Sequence, residues 1–412
     1  MLPRVSVTCG MHRNGQADMP LHYGKVPEWL AIRMSLLGGA IVEAIVMEYG
    51  RSTLLSKMSD PFWFQSLGCV LGMDWHSSGI TTSVMGALKR SVNRKASELG
   101  VYICGGRGRH SRQTPAELES IAGKTGLDGA LLAYNSRLAA KIDNTAIQDG
   151  FQLYLHSFIV TKDQEWAVIQ QGMNTESRLA RRYHWHSQQV KSFTEEPHTF
   201  IYGKNQGQIL NLTDRHADRT KDAIVALTKE SPGKLAGALR HLVMPSRHEV
   251  KAADVNLRRL GAVLALAHER NINGMEELLM LEGVGPRTIQ SLALVSEVIH
   301  GTPVRFEDPA RFSFAHGGKD GHPFPVLVNV YDETIALLEK SIMLARLNAA
   351  DKDHALKNLS KTSIALEKDF TPNNRFDEWI AREQNESWKY GGRTVSGKAQ
   401  KPGNDTRQLE LF

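Results

Sequence analysis

Apolar residues recur at helical spacing through the first hundred residues of the chain. The segment "KVPEWLAIRMSLLGGAIVEAIVMEYG" has this spacing and stops at Gly50, which predicts a long helix. A second helix is predicted at "SDPFWF", where Asp60 is suited to an N-cap and Pro61 to the first turn. A third is predicted in "SSGITTSVMGALKRSVNRKASELG". The pattern therefore indicates a helical block at the start of the protein.

The pattern changes at "VYICGGRGRHSRQTPAELES", which reads as a strand, a glycine-rich basic loop and a helix. Thr114, Pro115 and Glu117 have the spacing of a capping box and predict the helix start. Backbone amides of such a loop are able to cradle a phosphate. The loop matches neither the Walker pattern nor G-x-G-x-x-G, so an ordinary turn is an equally good interpretation.

Strand-like segments follow. "FQLYLHSFIV" and "WAVIQQG" flank the polar turn "TKDQE" and predict a hairpin, with Gln152, Tyr154 and His156 alternating onto one face. A second strand pair is predicted at "HTFIYG" and "QILNL".

Between these strands, "NTESRLARRYHWHSQQVKSF" is interpreted as a helix. At 100° per residue its buried stripe would be formed by Leu179, Tyr183, His186 and Val190. The opposite, basic face would then carry Arg178, Arg181, Arg182 and Trp185, and Arg178 and Arg182 are predicted to bind DNA together with the hairpin described next.

The most specific internal motif is "MEELLMLEGVGPRTIQSLALVSEVI". Two helical patterns flank Gly283, Val284 and Gly285, which is the layout of a helix-hairpin-helix. The glycines permit a tight turn, and amides at the start of the second helix would face a DNA phosphate. Arg287 and Thr288 would add a charge and a hydroxyl. Such contacts position DNA without reading its sequence; the alternative is a plain glycine turn between packed helices.

Polar residues that interrupt apolar segments suggest a metal site. Asp74 and His76 flank Trp75 at a helix junction, and Asp149 precedes the predicted hairpin. A metal that generates hydroxide, beside arginines that hold phosphates, is suited to phosphodiester hydrolysis. The predicted catalytic residues are Asp74, His76, Asp149, His156, Gln171 and His184, with Asp74, His76 and Asp149 as ligands of Mg²⁺ or Mn²⁺. Ordinary structural hydrogen bonding is the alternative for each of them. A second polar cluster, "FAHGGKDGHPFPV", is either the lip of a site or a rigid turn.

Charge and cysteine content narrow the class of protein. The net charge of +6 and pI near 9.1 favour a polyanionic partner. Three scattered cysteines argue against a disulfide framework or a zinc ribbon and indicate a reducing cytoplasm. No transmembrane helix is expected, because the segment "LLGGAIVEAIVM" is short and contains Glu43.

Several segments resemble a known family. They are "ADMPLHYGKVPEWL", "SDPFWFQSLGCVLGMDWHSSGITTSV", "AAKIDNTAIQDGFQLYLHSF", "WAVIQQGMN", "RLARRYHWHS" and "FAHGGKDGHPFPV". They are similar to the prokaryotic domain-of-unknown-function family numbered 763, over about residues 16 to 365. The resemblance implies a fold shared with uncharacterised archaeal and bacterial proteins and a role in DNA processing. It assigns no catalytic residue.

After Trp388 the chain is rich in glycine, lysine and polar residues, a composition that does not order itself. It leads to "QLELF", which resembles the bacterial sliding-clamp-binding pentapeptide. The clamp-binding residues would be Gln408, Leu409, Leu411 and Phe412, with Glu410 where serine or aspartate is more usual. The alternative is a tail that docks on its own domain.

The sequence therefore predicts an α+β fold. It would be mostly helical, with a small antiparallel sheet in the N-terminal half and a helical C-terminal half that contains the helix-hairpin-helix. Three regions are expected: a catalytic domain at 16–212, a DNA-binding region at 213–370 with the hairpin at 273–300, and a mostly disordered tail at 371–412.

The predicted function is a metal-dependent, structure-specific DNA nuclease tethered to the sliding clamp in repair or replication. It would be cytoplasmic and nucleoid-associated, with DNA and the clamp as partners and no membrane, while a homodimer is left open. One alternative is a helix-hairpin-helix glycosylase with Asp308 as its aspartate, although the offset from the hairpin departs from that pattern. The other is a noncatalytic DNA-binding adaptor.

Overall fold

The computed structural model describes residues 19–20, 26–74, 77–231, 257–310, 328–367, 393–394 and 397–398. Over these residues the predicted α+β class is confirmed, with helices on both faces of a small antiparallel sheet. The sheet lies in the N-terminal half. Its strand order is β1-β6-β5-β4-β2, and β7 pairs with β6 on the same side as β1. The strands are β1 (Met19–Pro20), β2 (Val101–Arg107), β4 (Gln152–Thr161), β5 (Trp166–Asn174), β6 (Leu179–His186) and β7 (Phe200–Tyr202).

A second, three-stranded sheet joins the N-terminal half to the residues that follow the glycine turn. It consists of β3 (Ile147–Gln148), β8 (Gln208–Asn211) and β9 (Phe306–Glu307), in the order β3-β8-β9. A two-residue pair, β10 (Arg393–Thr394) and β11 (Gly397–Lys398), lies in the C-terminal part.

The first group of helices surrounds the main sheet. They are α1 (Glu28–Tyr49), α2 (Arg51–Met58), α3 (Pro61–Val70), α4 (Gly79–Val92), α5 (Ala96–Leu99), α6 (Arg109–Thr125) and α7 (Gly129–Lys141), the last extended by a π-helical turn at Ile142–Ala146. The second group is α8 (Asp218–Lys229), α9 (Leu257–Glu269), α10 (Met275–Met280), α11 (Pro286–His300), α12 (Val328–Leu344) and α13 (Ala349–Glu367).

Each face of the main sheet packs against its own core. One face, here called the α4 face, carries Ile103, Ile159 and Ile169 and is covered by α1 to α4 together with α12 and α13. The other, the α7 face, carries Phe158, Val168 and Trp185 and is covered by α6, α7 and the helices α8 to α11. The α7 core includes residues from α11, so the helices that flank the glycine turn pack onto the N-terminal half of the chain. The predicted domain boundary near residue 213 stays a prediction.

The helix predicted over residues 174–193 is wrong, because residues 179–186 form the central strand β6. Every residue from Ala180 to His186 is buried. A strand covered on both faces loses the polar and apolar alternation that identifies a half-buried strand, so helical spacing fits it equally well. The basic helix face does not form: Arg181 and Arg182 are both buried, on opposite faces of the sheet, while Arg178 is exposed in the preceding turn.

The predicted alternation of Tyr154 with His156 is also wrong. The pairing of β4 with β5 shifts between Leu153 and Leu155, so Tyr154 is the extra residue of a β-bulge. Its hydroxyl lies on the α4 face with Gln171, whereas His156 lies on the α7 face with Gln170. One inserted residue therefore separates two side chains that strict alternation places together.

Of the other local predictions, two are confirmed and two are wrong. Asp60 caps α3 by accepting from the amides of Phe62 and Trp63, and the β4–β5 hairpin forms as predicted. The capping box at Thr114 is wrong, because α6 already begins at Arg109. The predicted second strand pair is wrong as well, since β7 pairs with β6 and β8 pairs with β3 and β9.

Among the helices that the structure describes, α1 alone has the length and apolar composition of a membrane span. About 44% of its most apolar window is buried inside the protein. A core helix meets the same criteria of length and composition, so the expectation of no membrane partner stays a prediction.

Candidate functional site

The glycine turn forms a compact connection between α10 and α11. Gly283 has φ of +81°, a conformation that only glycine adopts without strain, and Gly285 precedes α11 in an extended conformation. Val284 is buried, and the hydroxyl of Thr288 donates to the carbonyl oxygen of Gly283 (3.4 Å). Gly283 and Arg287 are exposed. The turn therefore presents a glycine and an arginine to solvent at the start of a 15-residue helix.

Two side chains from the sheet side hold this turn in place. The ammonium of Lys141, at the end of α7, donates to the carbonyl oxygen of Val284 (2.6 Å). Nε2 of Gln148, in β3, donates to the carbonyl oxygen of Pro286 (2.8 Å). Burial of Lys141 lowers its pKa. Sequence reasoning did not find these two residues, because they lie far from the turn along the chain and no local pattern links them.

Asp149 takes part in a buried ion cluster. Nη1 of Arg181 donates to Asp149 (2.7 Å), and both nitrogens of its guanidinium fork reach Asp308 (3.0 and 2.7 Å). Tyr183 donates its hydroxyl to Asp149 (2.6 Å). Burial raises the pKa of Asp149, partly offset by Arg181. Because neither carboxylate is exposed, Asp149 is engaged as a structural ion-pair partner in this conformation.

His156 belongs to a second buried cluster on the α7 face. Its Nε2 lies 2.8 Å from Oγ of Ser136, and its Nδ1 lies 2.8 Å from Oε1 of Gln170. Gln170 in turn donates to Asp143, which also contacts His198. Burial lowers the pKa of His156 to about 4, so the ring is neutral at pH 7. Both of its nitrogens are engaged within the protein.

Gln171 and His184 lie on the α4 face, away from Asp149 and His156. Nε2 of Gln171 donates to the carbonyl oxygen of Ser78 (3.0 Å) and contacts the hydroxyl of Tyr154 (2.5 Å). Oε1 of Gln171 is buried and receives no hydrogen bond from any described residue. Nε2 of His184 accepts from Arg182 (2.9 Å), and burial together with that positive charge lowers its pKa well below the usual value.

Arg182 is a fully buried cation surrounded by neutral groups. Its guanidinium donates to Gln65 (2.9 Å), Thr81 (3.3 Å) and His184, and lies over the ring of Phe64. No carboxylate within the described ranges forms an ion pair with it. Burial lowers its pKa to about 10, which leaves it charged at neutral pH. Arg182 is thus inaccessible to DNA in this conformation, contrary to its predicted role in DNA binding.

Two of the predicted metal ligands, Asp74 and Asp149, are therefore not brought together. Asp74 is exposed in the α3–α4 loop at the α4 face, Asp149 is buried at the α7 face, and His76 lies outside the described residues. No group of three or more histidine, cysteine or acidic side chains suited to a metal occurs among the residues described. The cluster at 314–326 and the clamp-binding residues 408–412 also lie outside the described part of the chain.

Two clefts open on the surface near these clusters. One, of about 340 Å³, lies beside the glycine turn between β3, β8 and α11, and its polar lining includes Gln148, Gln208 and Gln290. The other, of about 470 Å³, lies between α4, the end of β2 and the start of α6.

Comparison with known proteins yields one family match. No curated protein and no solved structure matches the chain. The sequence profile of a family described as a protein of unknown function, DUF763, matches residues 15–326. This span covers more than half of the 412 residues and includes the main sheet, both clefts and the glycine turn. The chain belongs to the DUF763 family.

Proposed function

We propose that this protein binds DNA through the phosphate backbone and that the turn between α10 and α11 is its main contact. The observation that supports this proposal is the exposed turn itself. Gly283 at φ of +81° and exposed Arg287 lie at the N-terminal end of α11, where backbone amides and the helix dipole favour an anion. Both the local geometry of the turn and the net charge of +6 favour a polyanionic partner.

The rigidity of the turn matters for this function. Lys141 and Gln148 hold the carbonyl oxygens of Val284 and Pro286 on the protein side, which directs the opposite side of the turn towards solvent. A preorganised turn binds a phosphate without an additional ordering cost. The contacts carry no base information, so we expect binding that depends on DNA shape and salt and not on sequence.

Anisotropy titration of a short labelled duplex tests the proposal. Arg287→Gln should weaken binding and lower the slope of log Kd against log salt by about 1, because one phosphate contact is lost. Arg346→Gln, which alters an exposed arginine elsewhere, is the matched control and should leave the slope unchanged. Equal affinities and slopes for wild type, Arg287→Gln and Arg346→Gln would remove the turn from the DNA interface.

A second variant tests the backbone amides. A Cβ atom built on Gly285 meets no atom within 4 Å, so Gly285→Val should fold normally while its side chain covers the amide side of the turn. We expect weaker DNA binding with an unchanged Tm. Unchanged binding in a folded Gly285→Val protein would contradict the amide contact.

We also propose hydrolysis of DNA with Mg²⁺ or Mn²⁺ as a second function, now centred on the α4 face. The amide of Ser77 donates to the carbonyl oxygen of Asp74 (3.1 Å), and the next residue, Ser78, accepts from Gln171. The segment that carries Asp74 therefore contacts Gln171, which in turn contacts the hydroxyl of Tyr154. An exposed carboxylate suits a divalent cation that retains several waters. Asp149 and His156 are no longer part of this proposal, because the ion cluster and Ser136–Gln170 contacts engage them.

Cleavage assays on forks, flaps, duplexes and single strands test this second function. With Mg²⁺ or Mn²⁺ added, Asp74→Asn should abolish cleavage and keep DNA affinity, because the turn carries the binding. Asp149→Asn is the control variant, and its cleavage of DNA should depend on the metal as cleavage by the wild type does. Cleavage that persists in chelator, or in Asp74→Asn, would exclude the site. Complete absence of cleavage for the wild type on every substrate would favour a DNA-binding adaptor.

The glycosylase alternative loses its proposed aspartate. Asp308 is fully buried, and both of its oxygens are held by Arg181. An aspartate that acts on a sugar must reach solvent or substrate, which this one does not in the conformation observed. Formation of abasic sites by the purified protein would restore that alternative.

We further propose that "QLELF" binds a bacterial sliding clamp and that the protein acts at the nucleoid. Gln408, Leu409, Leu411 and Phe412 supply the glutamine and apolar anchors of such a contact. A peptide with two or three anchors should bind in the micromolar range, because ordering it offsets part of the burial. Titration of the peptide against a purified clamp measures this directly. A peptide with Leu411 and Phe412 changed to alanine is the control, and equal binding by both would contradict the proposal.

A further inference from the structure

The cleft between α4 and the end of β2 has an apolar floor. Met85 and Leu155 lie at its base, and Gly86 on α4 adds no side chain. Its volume of about 470 Å³ is far larger than an inorganic anion needs and lies in the range of small-ligand pockets, roughly 300–1,000 Å³. The shape suits a ligand with a flat or apolar body.

The rim of the same cleft is cationic. Two arginines line it, Arg107 and Arg90, the latter also donating to Ser35 on α1. Arg109 and Arg112 occupy the first turn of α6 beside His110, which also lines the cleft. That first turn contains no acidic residue. Positive side chains at a helix N-terminus are unfavourable, because the helix dipole places partial positive charge there as well. An anion bound at the rim would interact favourably with both the arginines and the helix dipole.

The nearest carboxylate does not neutralise this rim. Glu117 accepts from the ammonium of Lys89 (2.7 and 2.9 Å) and from the amide of Gly105 (2.9 Å). The pair is therefore closed on itself, and no ion pair from Arg107, Arg109 or Arg112 to an acid occurs among the described residues. The cleft keeps a net positive rim beside an apolar floor.

The backbone at the rim is held in a conformation that only glycine permits. Gly105 has φ of +81°, and a Cβ atom there would lie 2.2 Å from the carbonyl oxygen of His156. Gly106 has φ of +137°. Glycine at position 105 therefore allows β2 to pack closely against β4 at the wall of the cleft. The sequence predicted a glycine-rich basic loop here, which is wrong: Gly105 and Gly106 belong to β2, which ends at Arg107, and α6 begins at Arg109.

We infer that this cleft binds a nucleotide phosphomonoester, with the phosphate at Arg107, His110 and the start of α6 and the nucleoside over Met85 and Leu155. The ligand is either a free mononucleotide or the phosphorylated end of a nucleic-acid strand, which share this chemistry. The inference is independent of the glycine turn, because the cleft and the turn are formed by different elements.

Isothermal titration and anisotropy distinguish the two sources. The ligands are dAMP, inorganic phosphate, and a short single strand carrying a 5′-phosphate, a 3′-phosphate or only hydroxyl ends. We expect at least about tenfold tighter binding of a phosphorylated end than of the hydroxyl strand, equivalent to about 1.4 kcal/mol. Binding of dAMP alone identifies a free nucleotide, and a gain only with a phosphorylated strand identifies a strand end. Equal binding of phosphorylated and hydroxyl strands together with no binding of dAMP overturns the inference.

Three variants locate the site. Arg107→Gln should remove the preference for phosphate, whereas Arg94→Gln, an exposed arginine outside the cleft, should keep it. Gly86→Leu fills the cleft without changing its charge; the nearest atom to its Cβ is a terminal nitrogen of Arg90 at 3.6 Å. It should abolish binding in a folded protein, and wild-type binding by Gly86→Leu would contradict the site. Because Arg287→Gln should leave dAMP binding intact, failure of the DNA-binding turn and failure of this cleft are separate outcomes.

Discussion

Replacing Arg181 with methionine would remove the only positive charge from a buried cluster that contains two carboxylates. The guanidinium donates to Asp149, to both oxygens of Asp308 and to the carbonyl oxygen of Lys204. Each carboxylate keeps neutral donors after the change: the amide of Phe151 and the hydroxyl of Tyr183 for one, and the amides of Gln206 and Ala310 for the other. The variant therefore loses charge compensation more than hydrogen bonds.

The expected cost follows from two estimates. Breaking a buried ion pair by removing one partner typically costs about 3–5 kcal/mol. A buried aspartate that has lost its partner can instead become neutral by taking up a proton. For an ordinary pKa of 3.8, this protonation costs about 4 kcal/mol at pH 7. With two carboxylates affected, we expect Arg181→Met to lower the free energy of unfolding by about 5 kcal/mol, a large share of the total stability of a typical protein.

Urea unfolding followed by tryptophan fluorescence at pH 7 and pH 4 measures the effect. Protonation of the carboxylates is almost free at pH 4, so the difference between wild type and Arg181→Met should shrink there to about 1–2 kcal/mol. Arg178→Met is the matched control, an exposed arginine three positions earlier in the chain, and should change stability by less than about 0.5 kcal/mol. Changing both Asp149 and Asp308 to asparagine in the Arg181→Met protein should recover part of the loss. A deficit below about 1 kcal/mol, or one that does not depend on pH, would refute the account of a charge-compensated cluster.

Three further predictions concern the main sheet. Burial lowers the pKa of His156 from 6.5 to about 4, so the unfolded chain binds a proton before the folded protein does as the pH falls. The free energy of unfolding should therefore decrease by about 3 kcal/mol between pH 6.5 and pH 4. Urea unfolding of His156→Gln should lack this part of the pH dependence. Gly105→Ala should lower the Tm sharply, because its Cβ would overlap the carbonyl oxygen of His156. The control Gly108→Ala, at φ of +62° with open space around it, should lower the free energy of unfolding by only about 1 kcal/mol. Equal Tm values of the two variants in calorimetry would contradict the overlap. Burial raises the pKa of Cys104 to about 12, so a maleimide should label it in guanidinium and not in the native protein, as mass spectrometry of the peptide would reveal.

The elements that local sequence patterns located are those whose signals are contained in a few neighbouring residues. Asp60 and Pro61 specify the start of α3 through a side-chain cap and a fixed backbone angle. The polar turn between two β-branched segments specifies the β4–β5 hairpin. Gly283, with φ of +81°, specifies the turn before α11, because its neighbours on either side are strongly helical. Each of these features needs no information from distant parts of the chain.

The sites that the sequence placed incorrectly depend on contacts between distant residues. Strict alternation assigns Tyr154 and His156 to one face of the sheet. The bulge in β4 places them on opposite faces, and the bulge arises from the register between β4 and β5. Arg182 was assigned to a solvent-exposed face, yet it contacts Gln65, more than a hundred positions earlier. The predicted catalytic group was divided because its members in the sheet lie on different faces: His156 lies on the α7 face, and Gln171 and His184 lie on the α4 face.

By itself, the sequence determined the α+β class and the glycine turn before α11, because caps, turns and periodicity are local properties of the chain. Only the tertiary structure decided that β6 is a strand, since both of its faces are covered and its pattern carries no alternation. It also decided that Arg181 pairs with both Asp149 and Asp308, because an ion pair between residues 181 and 308 requires the second half of the chain to pack on the first. The free energy of that packing is non-local, and no short segment of sequence contains it.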